Sequence, residues 1–205
     1  MEYNRNVWQR RLAALAVLGL LGPVGGCALG LEHVDIAYLP ANQAQPIAGA
    51  ERVPVDISVR TATSVEDERV GAKKNGYGIE LGGLAPTRPV TQIVGDALAI
   101  ELRRRGFPVQ RSTTVTSIEV IRFWNDFKNG FFVAGTEADV TLAITVRTPT
   151  ALLYSRTVSG RGGSDAVIVG TAGVAREALQ GALTVAVSRI VDDPAYIAAL
   201  FAAAR

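Results

Sequence analysis

Cys27, His33 and a few groups of carboxylates and glycines are the residues whose types and spacing allow chemistry, and each can be weighed on its neighbours. Cys27 is the only cysteine and His33 the only histidine, so a zinc site built on clustered His and Cys is excluded. A hydrolase triad needs a base beside its serine, and the one histidine falls six residues after Cys27, near the start of the chain. A Ser-Lys pair has no spacing that nominates it. Glu66, Asp67 and Glu68 are adjacent, lie beside Arg69 and lack the alternating oxygen ligands of a calcium loop, so they read as a solvated loop. Gly160-Arg-Gly-Gly-Ser164, followed by Gly170-Thr-Ala-Gly173 at a helix start, offers amides to an anion. It lacks both the Lys-Ser/Thr ending of a P-loop and the spacing of a dinucleotide fingerprint, and reads by default as a flexible turn. No catalytic residue, cofactor or metal is expected, and the chain reads as a non-enzyme.

The first 27 residues speak to address instead. Arg5, Arg10 and Arg11 precede the apolar run Leu12 to Leu21, a turn-prone Gly22-Pro23, and then Val24-Gly25-Gly26-Cys27, which is the order of an export signal. A membrane span needs about 20 apolar residues, and this run is interrupted after half that. The ending resembles the lipobox of bacterial lipoproteins, with an aliphatic residue three before the cysteine and a small one just before it. That resemblance implies a signal peptide over residues 1–26, peptidase recognition through Val24, Gly25 and Gly26, and a diacylglyceryl, palmitate-bearing Cys27 as the membrane anchor. Two or three acyl chains hold a protein firmly, at about 0.8 kcal/mol per buried methylene. Ala28 stands where an aspartate would favour inner-membrane retention, so the expected address is the periplasmic face of the outer membrane, ahead of the inner membrane.

Removing residues 1–26 takes away Arg5, Arg10, Arg11 and Glu2 and leaves 18 charges of each sign, so nucleic acid is not an expected partner. Residues 27–50, with Pro40, Asn42, Gln43, Gln45 and Pro46, read as the acylated cysteine and a flexible tether. Residues 51–205 then form one domain. Val53 to Val59 alternates as a strand, and Thr61 to Arg88 reads as a long irregular stretch. A helix is expected from Pro89 to Arg105, closed by Gly106. Ile118 to Trp124, Phe131 to Arg147 and Leu152 to Val158 read as strands, with a tight turn at Asn129-Gly130. Helices follow over about Gly173 to Val191 and Pro194 to Ala204. The expected fold is α+β, an antiparallel sheet of about four to five strands with two main helices on one face.

These landmarks together resemble the YajG-type family of bacterial lipoproteins: Cys27, the strand Val53 to Val59, Asp67-Glu-Arg-Val-Gly71, the helix ending Arg104-Arg-Gly-Phe107, the later strand pair and the terminal helices. The family brings no established enzymatic activity, so the resemblance implies location and fold. A more distant architectural similarity is to the accessory lipoproteins of lipid-transport systems, without a local motif to carry it.

Two segments suit recognition. Lys73-Lys-Asn-Gly-Tyr-Gly78 sets two cations and Tyr77 among bendable residues, and Trp124 and Phe127 belong to the densest aromatic cluster, with Phe123, Phe131 and Phe132. Lys73, Lys74, Tyr77, Trp124 and Phe127 are therefore the candidate contacts. The expected function is a non-catalytic envelope lipoprotein that presents its α+β domain to a periplasmic or membrane protein. The alternative is an accessory module in envelope transport that binds a lipid or hydrophobic ligand.

Overall fold

A computed structural model describes residues 30–41, 43–63, 69–74, 77, 79–129, 134–167 and 171–204. The expected signal over residues 1–26 with Val24, Gly25 and Gly26, the anchor Cys27, the carboxylates Glu66 to Glu68 and the hairpin tip at Gly130 with Phe131 and Phe132 lie outside the described residues.

Seven strands form one mixed sheet: β1 Gly30–Val34, β2 Asp56–Thr61, β3 Gly71–Lys74, β4 Glu80–Pro86, β5 Val115–Asn129, β6 Ala134–Arg147 and β7 Leu152–Val167. The helices are α1 Val90–Arg104, α2 Ala172–Val191 and α3 Pro194–Ala203. The strand order is β1-β4-β3-β5-β6-β7, and β2 lies beside the first half of β5. The α+β class holds, but the sheet is larger than four to five strands and is not purely antiparallel. Both β2 and β3 run parallel to β5, at Asp56↔Val115 through Thr61↔Val120 and at Gly71↔Asn125. The added strands come from stretches that read as tether and loop.

The centre is a meander of long hairpins. Inward residues Ile118, Val120 and Phe123 of β5 and Ala138, Val140, Leu142, Ile144 and Val146 of β6 are almost wholly buried. Strand alternation would forbid Val120 and Phe123 from sharing a face, and a bulge resolves this. Val120 opposes Leu142 while Arg122 opposes Thr141, so Ile121 is an extra, unpaired residue.

Helix ends follow local chemistry. In α1 the amide of Gly106 (φ 93°) donates to Arg103 O at 3.0 Å and that of Phe107 to Leu102 O at 3.0 Å, the paired bonds of a left-handed glycine cap. Asp193 caps α3, its Oδ1 accepting from Ala195 N at 2.9 Å, with Pro194 in the first turn.

The Gly160 to Ser164 segment is strand β7, not a turn. A Cβ on Gly160 would lie 2.0 Å from Ala182 O, and one on Gly162 would lie 2.2 Å from Ala178 O. The missing side chains let the backbone of α2 lie directly on β7, across its stripe of Ala178, Ala182 and Ala186.

The segment read as a tether is also part of the fold. Val34, Ile36 and Tyr38 alternate into the core, Thr184 Oγ1 donates to Leu39 O at 2.8 Å, and Ile47 N donates to Arg105 O at 2.9 Å. Its proline and amide content reads as a mobile linker, but from Val34 to Tyr38 every second side chain is apolar and finds the core.

Candidate functional site

β2 pairs with the first half of one edge of β5, and among the described residues no strand pairs along its other edge. Val55 begins a parallel pair there: its amide donates to Pro108 O at 2.9 Å, and Gln110 N donates to Val55 O at 3.0 Å. The pair is an isolated bridge and goes no further. Alternate residues of a strand direct their backbone groups to the same edge, so Ile57 and Val59 present theirs beside this interrupted ladder. Along it runs an open groove of about 460 Å³ between β2 and α1. Ile57, Val59, Ala99 and Val109 supply apolar lining, while Asp56, Asp96, Arg103 and Arg111 supply both signs of charge. At Gly95 α1 passes close to β2, where a Cβ would meet Val59 Cγ2 at 3.4 Å. This arrangement suits an extended peptide segment, with main-chain partners, apolar pockets and a charged rim.

A second cluster joins the helix ends to the first residues of the domain. Glu101, 4% exposed, accepts from Tyr38 Oη at 2.9 Å and from Arg104 at 2.5 Å, and pairs with Arg105, which also reaches Asp192 at 2.5 Å. Burial, and then the bond to Glu101, pushes the Tyr38 hydroxyl well above its ordinary pKa, so it stays a donor. The adjoining cavity of about 320 Å³ has Gln43, Gln45, Arg105, Ser188 and Asp192 among its lining residues. At α3, Asp193 accepts from Tyr154 Oη at 2.7 Å and Arg156 Nη1 at 2.5 Å. The Tyr154 hydroxyl, the Ala195 amide and Arg156 hold that carboxyl below its ordinary value, while burial and Asp193 push Tyr154 up to about 12. Both clusters tie distant elements together. No group of three His, Cys, Asp or Glu able to hold a metal occurs among the described residues.

The residues singled out in the sequence are divided by the fold. Lys73, on β3, is largely buried and ion-paired with Glu32 of β1. Lys74 ends β3, while Tyr77, in the β3–β4 connection, is 91% exposed. Phe127 is 7% exposed and packs in the core. Trp124 is half-buried on the opposite face of β5, where its Nε1 donates to Asp126 Oδ1 at 3.0 Å. The aromatic cluster is thus split between faces by alternation. The groove residues were missed: Asp56, Gly95, Asp96 and Arg103 belong to different elements, and only the lone glycine inside an amphipathic helix hints at a close approach.

No helix among the described residues is long and apolar enough to cross a membrane. A protein from Xanthomonas campestris, assigned to a domain family of unknown function, is similar in fold: TM-score 0.57, 18% identity, over 78% of this chain and 92% of that one. A minor lipoprotein from Acinetobacter baumannii aligns over 69% of this chain and 92% of its own, with TM-score 0.40 and 7% identity. No curated protein matches the sequence. The model of a family described as uncharacterized lipoprotein matches residues 44–200, and the chain therefore belongs to that family, in keeping with its YajG-type resemblance.

Proposed function

We propose that this lipoprotein is a non-catalytic, membrane-anchored envelope protein that presents its α+β domain to a periplasmic or membrane protein. Acyl chains on Cys27 would hold it at the periplasmic face of the outer membrane after removal of residues 1–26. The observation that carries this reading is the groove beside β2, where a ladder begun at Val55 stops and an apolar floor continues. An added strand from a partner would continue that ladder and cover Ile57 and Val59. The alternative, a lipid or hydrophobic ligand, calls for an enclosed apolar cavity. The groove is open with a charged rim, and the cavity beside Glu101 is lined largely by polar residues.

Two variants test the proposal. Gly95→Trp fills the groove from α1, packing over Val59, and replaces no residue of the β2–β5 pairs. A protein partner that co-purifies with the wild type from native membranes and is lost from a normally folded Gly95→Trp supports the reading; its retention overturns the groove as the docking place. Cys27→Ser tests the anchor. Loss of membrane association, together with loss of the acylated N-terminal peptide by mass spectrometry, is the expected result.

A further inference from the structure

Four large apolar side chains lie near the end of the sheet where the chain enters the fold. Leu31 of β1 is 54% exposed, Tyr77 91%, Ile79 61% and Leu81 37%. Leu31 lies across β4, its Cδ1 3.0 Å from the position of a Cβ on Gly83, and Leu81 is the unpaired residue of a register shift in β4, between Gly82 opposite Lys73 and Glu80 opposite Lys74. Ile79 directly precedes β4, and Tyr77 lies in the connection from β3 to it. Among the described side chains here, charge is internally cancelled, with Lys73 paired to Glu32 and Arg69 to Glu80.

The length of chain before this patch says what covers it. β1 begins at Gly30, three residues after Cys27, and three residues reach at most about 10 Å. A cysteine acylated in a bilayer therefore holds the start of β1 within that distance of the headgroups, because residues 31–41 are packed into the domain and lend no slack. We propose that Leu31, Tyr77, Ile79 and Leu81 rest in the interface of the lipid bilayer that carries the anchor, fixing the orientation of the domain. Tyrosine suits that depth, with its ring among acyl chains and its hydroxyl among headgroups, and the aliphatic residues add buried apolar area. Since the contact is made by apolar side chains, and the charges of Lys73, Glu32, Arg69 and Glu80 beside them are paired, it should withstand salt, unlike one made by a basic patch. The proposal rests on acylation of Cys27.

The test uses the full acylated protein in phosphatidylcholine vesicles. With Cys27 occupied by lipid, a cysteine introduced by Tyr77→Cys or, at the far end of β7, by Leu152→Cys carries an environment-sensitive fluorophore alone. Expected are a blue-shifted emission and severalfold stronger quenching by brominated phosphatidylcholine at position 77 than at 152, both unchanged in high salt. Adding Leu31→Ser, Ile79→Ser and Leu81→Ser should return the label at 77 to an aqueous spectrum while the melting curve stays cooperative. Protein that floats with the vesicles but shows the same aqueous spectrum at 77 and 152 overturns the proposal and leaves the anchor standing. Protein that does not float removes the anchor, and this orientation with it.

Discussion

Both ends of the sheet contain glycine-rich strands, and the fold uses them in opposite ways. At the β7 end, Gly160 and Gly162 remove side chains so that the backbone of α2 can seat on the strand. At the β1–β4 end no helix among the described residues seals the strands: Leu31 and Arg69 cover Gly83, while Ile79 and Leu81 remain exposed. Similar composition thus gives a sealed joint at one end and an open surface at the other. What decides the outcome is the presence of a helix to receive the bare backbone.

The largest effect is expected where the joint is tightest. Gly160→Val drives Cβ and two methyl groups into the Ala182 carbonyl and the Ala186 amide, which are helix backbone and cannot step aside. It should cost about 3 kcal/mol or more, read as a lowered denaturation midpoint or loss of soluble protein. A tolerated valine would break the comparison outright. Glu101→Ala comes next. It strips Tyr38, Arg104 and Arg105 of their shared acceptor and leaves the Tyr38 hydroxyl with Ser188 alone, costing about 2 kcal/mol. The same variant should expose residues 35–45 to limited proteolysis, because Tyr38 holds that segment down.

Asp193→Ala removes the cap of α3 and should cost about 1 kcal/mol at neutral pH. The folded protein holds this carboxyl below its ordinary value, so its contribution is complete above the unfolded value and is lost as pH falls through the folded one. The gap in stability between wild type and Asp193→Ala should therefore close below about pH 4, as urea titrations at a series of pH values would show. The smallest effect belongs to the open end. Tyr77→Ser and Ile79→Ser should leave stability within about 0.5 kcal/mol of wild type, and a larger fall in the thermal midpoint would place these side chains in the core.

Elements whose signals are local were legible in the sequence. Pro89, the apolar spacing of Ile93, Val94, Ala97 and Leu98, and the Gly106 cap placed α1 within a residue of Val90–Arg104, and the two later helices fell equally close. The Thr148-Pro149-Thr150 turn joins β6 to β7 between the two strands expected there, with Thr148 N donating to Ala151 O at 2.9 Å. The failures share one cause, which is dependence on a distant partner. Gly160 and Gly162 make sense only against α2, and nothing nearby distinguishes them from a flexible turn. The short β3 and β4 alternate weakly, because they are defined by pairing with each other and, for β3, with β5. Val34, Ile36 and Tyr38 did carry a signal, a period of two hidden among prolines and amides. The groove beside β2 was invisible for a further reason: it consists of pairing that stops, and a sequence does not show where a ladder ends.

The unpaired Ile121 bears on how the length of this chain can vary. It is 40% exposed and sits between Val120 and Arg122, which already oppose adjacent residues of β6. Deleting it would join two correctly phased half-strands, leaving Phe123, Asn125 and Phe127 on the inward face. The same one-residue loss at Glu119 or Trp124 would turn part of β5 inside out. Gaps in an alignment of related chains should therefore gather at position 121 and spare the rest of the strand.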